Sequence, residues 1–378
     1  MLPYIQKSYF MQEISTTPQQ PKERMQWLDA MRGFTMILVV AYHVAQMGFE
    51  QPVKQSSSMS FLMLFRMPLF FFVSGFLAYK SSIKWDTETL FTLLGKKIRV
   101  QLVPTVVFLL FSCVALYPKF WPALEKCLAS ATKGGYWFTL VLLYMFMVYY
   151  FFCYVESWLK KLRCPSWLPI VVLFVLSLAL YETCYLPKLC WWADGRRGKI
   201  PSEILNYTSL IHFMKYFPFF VFGNIVRRYW QKAQQLMDSQ WFFPTLVVLV
   251  VFCTMDILKW HTLRMAWANI PSTLSKFILL TMVFMYFRHY AQYFTQSTII
   301  GSCLQYVGRR TLDIYLIHYL FLPNLPAVGT FFTSNKHNFV IDSSLSIAIG
   351  LLVIAFSIIT SNLLRISPIL RKYLFGKS

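Results

Sequence analysis

Long apolar stretches separated by short polar segments dominate the pattern of this 378-residue chain. An α-helix needs about 17 to 25 apolar residues to cross the hydrocarbon core of a bilayer. Hydropathy and helix breakers place spans at 33–48, 59–79, 102–117, 136–155, 167–186, 210–226, 241–258, 270–287, 305–325 and 344–364. The pattern therefore predicts an all-α, polytopic membrane protein with about ten transmembrane helices.

The segments outside these spans predict the orientation of the chain. Residues 1–26 are polar, contain two prolines and lack the layout of a signal peptide, so we expect a flexible cytoplasmic arm. Residues 27–364 would form the membrane domain, followed by a short basic tail at 365–378. Most Lys and Arg lie in the loops on the same side as the termini, which predicts an inner (cytoplasmic) cell membrane protein with both termini cytoplasmic.

The composition argues against a nucleic-acid partner and against a metal or redox site. The chain is 57% hydrophobic and 13% charged with a net charge of +21, and its basic residues lie at span ends, so membrane lipid rather than nucleic acid is the expected partner. The eight cysteines include no C-x-x-C pair, so no metal or redox site is predicted. Cys184 and Cys190 flank a turn and could pair in an oxidising compartment. A homo-oligomer is compatible with the pattern.

Ionisable residues inside the spans are the first candidates for function, because they are costly in hydrocarbon and usually face an interior cavity. They are His43, Arg66, Lys215, Asp313 and His318. A lone histidine can also bond across helices, and a lysine near a span end can extend to the interface. We favour this second interpretation for Lys215.

Arg32 and His43 are predicted to share one helix face. Eleven residues separate them, and eleven steps of about 100° return to within roughly 20° of the start, with a rise of about 16 Å. A thin ligand with an anionic head and a reactive far end, such as acyl coenzyme A, would fit both. His43 could act as a general base or as a nucleophile. Asp29 could pair with Arg32 or cap the helix.

The second span places another cation at the expected depth of His43. In "FRMPLFFFVSGFLAYK", Arg66 would stabilise an anion or a developing oxyanion, or would bond to a carbonyl freed by Pro68. Ser74 and Gly75 permit close helix approach.

The ninth span, "VGRRTLDIYLIHYLFL", carries a predicted Arg309–Asp313 ion pair and places His318 near the depth of His43. Two histidines at one level suggest a shared cavity. Asp313 and His318 differ by roughly 140° around a helix, so we expect one of them to serve packing.

Aromatic residues cluster at the outer ends of the spans. Tyr136 and Trp137 open the fourth span, and Trp191, Trp192 and Asp194 lie in the longest outer loop. Such residues usually form an interfacial belt, but flat rings with polar neighbours also suit a sugar acceptor.

Several of these segments resemble the acyltransferase-3 family of membrane O-acyltransferases. Leu28-Asp29-x-x-Arg32-Gly33, followed by His43, resembles the arginine–histidine arrangement of the first span in that family. "PLFFFVSGF", "YWF" and "VGRRTLDIYLIHYL" are similar to its later motifs and occur in the same order. The resemblance extends from Trp27 to about Leu364, and ten spans is the usual count in the family.

The resemblance implies transfer of an acyl group, acetyl or succinyl, from cytoplasmic acyl-CoA to a hydroxyl of a surface or secreted glycan or a lipid-linked sugar. It implies a catalytic role for His43 and Arg32, to which we add Asp29. Donor-binding candidates are Arg32, Lys96, Lys97, Arg99, Arg309 and Arg310. Acceptor or oxyanion candidates are Arg66, Ser74, Tyr136, Trp137, Tyr315 and His318. Tyr136 stands where many members have histidine.

The main alternative is a transporter or flippase that uses His43, Arg66, Asp313 and His318 as a substrate or proton path. A catalytically silent assembly partner in polysaccharide export is a third hypothesis. Only an enzyme would release free coenzyme A from acyl-CoA.

Overall fold

The chain folds into helices of very different lengths. A computed structural model describes residues 24–51, 57–184, 203–257, 270–334 and 339–375, and these residues contain no β-strand. The α-helices are α1 (Gln26–His43), α2 (Ser57–Ala78), α3 (Thr87–Lys97), α4 (Val103–Leu116), α5 (Phe120–Ala129), α6 (Trp137–Lys161), α7 (Leu168–Thr183), α8 (Glu203–Thr208), α9 (Leu210–Arg228), α10 (Trp230–Met237), α11 (Phe242–Ile257), α12 (Ile270–His289), α13 (Ile299–Arg309), α14 (Thr311–Ile317), α15 (Pro326–Ser334), α16 (Phe339–Leu364) and α17 (Pro368–Phe375). The predicted all-α membrane fold is confirmed.

Four helical stretches among the described residues are long and apolar enough to cross a membrane: Gln26–Gly48, Thr87–Leu116, Trp137–Lys161 and Phe339–Leu364. Two bent pairs raise this to six if each pair is one span, with bends of 80° between α10 and α11 and 95° between Thr311–Phe321 and α15. The count of ten spans therefore stays a prediction.

Several predicted spans differ from the helices in their boundaries, and the third and the ninth differ most. The third was expected to begin at residue 102, but its helical stretch begins at Thr87, where the Asp86 carboxylate accepts the Thr89 N–H at 2.7 Å and caps α3. The expected basic loop before residue 102 is therefore largely helical. The ninth span is broken at Arg310, which separates α13 from α14.

Paired glycines bring the central helices into backbone contact. A Cβ on Gly75 of α2 would lie 1.8 Å from the Phe220 carbonyl oxygen of α9, and Gly223 of α9 meets α2 in the same way. Gly33 of α1 and Gly308 of α13 form a second crossing of this kind. Small residues allow this close approach between membrane helices. α1 also packs on α2 and α16, so it lies at the centre of the helices.

Candidate active site

Helix α1 carries Arg32 in its second turn and His43 as its last residue. Both side chains are partly exposed, whereas most other residues of this helix are buried. A π-helical turn, Val44–Gly48, follows His43 directly. Such turns are rare and frequently occur at functional sites, because they widen the helix locally.

His43 lies against a second histidine. Its Nδ1 is 2.9 Å from Nε2 of His318, and the two rings are nearly parallel, with an interplanar angle of 17°. His318 is fully buried. The two residues are 275 positions apart in the sequence, so only the tertiary fold creates this contact.

The backbone around His318 determines where the protons of the pair lie. Its Nδ1 is 3.0 Å from the carbonyl oxygen of Ile314 and 2.8 Å from that of Tyr315. Carbonyl oxygens only accept, so Nδ1 of His318 carries a proton, and in the neutral ring Nε2 accepts the N–H of His43. This leaves Nε2 of neutral His43 with its lone pair free of a proton, as a general base or nucleophile requires.

The position of His318 follows from the end of α14. The last carbonyls of an α-helix have no partner within the helix. His318 follows Ile317 directly and begins a 3₁₀ turn. Its backbone N–H donates to the Ile314 carbonyl, and its ring N–H also reaches back to the carbonyls of Ile314 and Tyr315. One hydrogen-bonded group therefore both caps the helix and orients the ring.

Three tyrosines join this helix end to the segment before α6. Tyr136 donates to the Leu316 carbonyl at 3.1 Å, and Tyr315 bonds to the Gly135 carbonyl and accepts the Phe138 N–H. Tyr319 donates to the same Gly135 carbonyl at 3.1 Å, while its oxygen lies 3.4 Å from Nε2 of His43. Since a phenol has one proton, the shorter bond to the carbonyl leaves His43 only weakly engaged.

Arg66 is a buried cation on α2. Its guanidinium lies 3.5 Å above the centre of the Tyr42 ring, and it is close enough to His43 for their charges to interact. The described residues contain no carboxylate that pairs with Arg66, and its Nε has no hydrogen-bond partner among them. Among the described residues, Arg66 also makes no hydrogen bond to a carbonyl freed by Pro68. Such a cation suits an anion or a developing negative charge.

Arg32 connects α1 to the helix that presents His318. One guanidinium nitrogen lies 3.5 Å from the Asp29 carboxylate and another donates to the Thr311 hydroxyl at 3.0 Å. Asp29 also pairs with Arg24 at 2.6 Å. The alternative that Asp29 caps the helix is wrong, because the N-cap residue of α1 is Met25.

Two neighbouring cavities open beside Arg32. They measure about 360 Å³ and 420 Å³ and share Arg32, Leu77 and Lys80 in their walls. The first adds Arg24 and Arg227. Together the walls form a basic cleft. We name it the donor cleft because it contains Arg32, Lys96 and Lys97, three of the predicted donor-binding cations.

The larger cavity has both charged and apolar residues in its wall. Lys80, Lys96 and Lys97 contribute charge, and Phe70, Ser74, Phe138, Leu142 and Thr311 also line it. Phe138 packs on Tyr315, with ring centroids 5.1 Å apart, and Tyr315 lies 5.9 Å from the His318 ring. The apolar part of the donor cleft therefore ends one aromatic layer from the histidine pair.

The sequence of this chain matches a known protein family. A family model described as an acyltransferase domain matches residues 25–364, nearly the whole chain. The chain belongs to the acyltransferase-3 family. This confirms the resemblance found in the sequence, and the protein is a membrane acyltransferase. No curated protein and no solved structure matches it.

Three of the proposed donor-binding cations of this acyltransferase lie away from the donor cleft. Arg99 and Arg309 are exposed and line neither cavity, and Arg310 donates to Asn362. The predicted Arg309–Asp313 pair is wrong. Arg309 ends α13 and donates to its own helix, because the break at Arg310 separates it from α14.

Asp313 has another partner. It forms an ion pair with Arg365 at 2.5 Å and accepts the hydroxyl of Ser361 at 2.9 Å, which ties α14 to the end of α16. It therefore serves packing, while His318 meets His43.

The aromatic residues near the opposite helix ends form an internal stack. Trp137 lies 4.3 Å from the ring of His212 and 5.5 Å from that of Tyr216, and Tyr136 is buried. These contacts place Trp137 within the protein, and sequence reasoning overlooked His212. Trp191, Trp192, Asp194 and Cys190 lie outside the described residues.

Tyr319, Lys80 and Thr311 are further site residues that sequence reasoning did not select. Their positions in the sequence were the available signal. Tyr319 directly follows His318, and Lys80 directly follows the second predicted span, just as Arg32 directly precedes the first.

Proposed function

We propose that this acyltransferase moves an acyl group, acetyl or succinyl, from cytoplasmic acyl-CoA to a hydroxyl of a surface or secreted glycan or a lipid-linked sugar. The observation that carries the proposal is the His43–His318 pair, whose outer nitrogen is free of a proton, set one aromatic layer from a basic cleft.

The donor cleft supplies the charges that acyl-CoA requires. The phosphates bind to Arg32, Lys80, Lys96 and Lys97, and the slender pantetheine arm follows the apolar wall toward Phe138. Phosphate groups favour guanidinium and ammonium partners. For the thioester to meet His43, the side chains of Phe70 and Phe138, which pack together at 4.8 Å between ring centroids, move aside.

The reaction then uses the free lone pair of His43. As the acceptor oxygen attacks the thioester carbon, its proton passes to Nε2 of His43, and His318 stabilises the resulting cation by accepting the Nδ1–H. The C–S bond breaks and the sulfur takes the proton, which gives the ester and free CoA. Acylation of the same Nε2, followed by transfer to the acceptor, would use the same geometry.

Arg66 stabilises the negative charge that develops during the reaction. The carbonyl oxygen of the thioester becomes negative as the acceptor attacks, and a buried guanidinium without a carboxylate partner among the described residues stabilises it. We place Arg66 in this role.

The orientation completes the proposal. With both termini cytoplasmic in an inner (cytoplasmic) cell membrane, the donor cleft faces the cytosol and Trp137 lies toward the other side, from which the glycan enters.

The test is a turnover assay on the purified protein in lipid nanodiscs. Acetyl-CoA or succinyl-CoA is mixed with glycan extracted from the envelope of the source cells, and both free CoA and glycan esters are measured. His43→Ala should lower turnover by at least about 10²-fold, because it removes the group that handles the proton.

The matched control is His289→Ala at the exposed end of α12, which should leave turnover unchanged. Normal turnover in His43→Ala at equal protein amount would overturn the assignment of His43. Movement of a glycan without release of CoA by the wild type would favour the transporter hypothesis.

A further inference from the structure

Gln101 is a buried polar residue in the wall of the donor cleft. Its side chain is only 7% exposed, and it lies in a second π-helical turn, Ile98–Leu102, between α3 and α4. Nothing in the sequence pattern singles it out, because glutamine inside an apolar run has several structural uses.

The side-chain amide of Gln101 is incompletely bonded. Its Oε1 is buried and has no hydrogen-bond partner among the described residues. The backbone carbonyl of the same residue, by contrast, accepts the Thr105 hydroxyl at 2.6 Å, and this hydroxyl contacts that of Thr139 at 2.7 Å. The backbone is therefore fixed while the amide is left for another group. Buried polar atoms without partners are rare in folded proteins and call for an explanation.

The position of Gln101 indicates which part of a ligand it would meet. It follows Lys97 by four residues, about 6 Å along the helical axis, and shares the cavity wall with Phe138 and Leu142. Phosphates are served by the cations at Arg32 and Lys97. The unpartnered Oε1 is an acceptor among apolar side chains, so it suits a neutral group that donates an N–H, and an amide is a close match.

We propose that Gln101 hydrogen-bonds an amide of the pantetheine arm of acyl-CoA and so selects donors that carry this arm. The inference rests on the proposed function. It adds a recognition residue between the part of the cleft that binds phosphates and the histidine pair.

The test compares the wild type and Gln101→Met with three acetyl donors. Gln101→Met keeps the length of the side chain and removes both hydrogen-bonding groups. Acetyl-CoA is compared with S-acetyl-2-mercaptoethanol, a thioester that lacks amides and phosphates. Gln231→Met, at an exposed position on α10, is the matched control.

We expect Gln101→Met to raise the KM for acetyl-CoA by about fivefold to tenfold, the equivalent of one hydrogen bond, with kcat within twofold. S-acetyl pantetheine, which has the amides but no nucleotide, should show the same change. The kcat/KM for S-acetyl-2-mercaptoethanol should stay unchanged, and Gln231→Met should behave as the wild type with all three donors.

Two results would overturn the inference. One is an unchanged KM for acetyl-CoA in Gln101→Met. The other is an equal loss with all three donors in both Gln101→Met and Gln101→Leu, which is the behaviour of a packing residue. If the wild type itself releases no CoA from acetyl-CoA, the proposed function fails instead, so the two failures are distinguishable.

Discussion

At the residue scale, the orientation of His43 depends on a neutral partner. In many hydrolases a carboxylate orients the catalytic histidine, whereas here the acceptor is Nε2 of His318, which is itself fixed by backbone carbonyls. A neutral acceptor avoids placing a second full charge in a buried site, where an unpaired charge is costly.

Replacement of His318 tests this arrangement. His318→Ala removes the acceptor of the His43 Nδ1–H, so we expect kcat to fall by about 10-fold to 10²-fold, less than for His43→Ala, with the KM for acyl-CoA nearly unchanged. Steady-state kinetics with purified variants measures both quantities. A fall confined to KM would contradict the positioning role.

Arg32 offers a second test at this scale, with Arg99 as the matched control. Arg32→Ala should raise the KM for acyl-CoA on the order of tenfold or more, because it removes the proposed charge-assisted contact to phosphate. Arg32→Lys should restore only part of the affinity, since an ammonium lacks the planar fork. Arg99→Ala, at an exposed position outside the cleft, should keep the KM of the wild type. Equal effects of Arg32→Ala and Arg99→Ala would contradict the proposed phosphate site.

At the scale of elements, the glycine crossings determine how closely the helices that line the site approach. Gly75 follows Ser74, which lines the donor cleft, and lies against the backbone of α9. The Gly33–Gly308 crossing holds α1 to α13 next to Arg32 and Thr311. The shape of the cleft therefore depends on residues that carry no side chain.

Gly75→Ala measures the importance of this crossing. Its Cβ would lie 1.8 Å from a backbone oxygen, so the helices must separate, and we expect a loss of about 1 to 3 kcal/mol in stability. Gly95→Ala is the matched control in α3, because nothing lies within 4 Å of its Cβ, and it should be neutral or stabilising by up to about 1 kcal/mol. Thermal unfolding in detergent compares the two variants. Equal midpoints would show that α2 and α9 tolerate a larger separation.

At the scale of the whole molecule, the sequence predicted the class of fold and a shared level for His43 and His318, because hydropathy and helical rise are local properties. His43 and His318 were expected at one level, and the fold brings their rings together. Their hydrogen bond was beyond prediction, since it depends on the break at Arg310 and on where α14 ends.

The differences between prediction and structure have the same origin. Arg99 was grouped with Lys96 and Lys97 as one basic loop, but this segment is helical, and two residues turn a side chain by about half a turn away from the cleft. Arg309 was paired with Asp313 as if one helix held both. The local sequence pattern identifies the charged residues, but the points at which helices end, such as Arg310, determine which of these residues come into contact.

The ring of His318 is bonded to the last turn of α14. The position of its Nε2, which accepts the N–H of His43, therefore depends on whether this single helical turn is folded. A fluctuation that opens this turn exposes two carbonyls and separates His318 from His43 while the rest of the protein stays folded. Under the proposed mechanism, catalysis would therefore decline on warming ahead of global melting, and enzyme activity would report the integrity of one helix terminus.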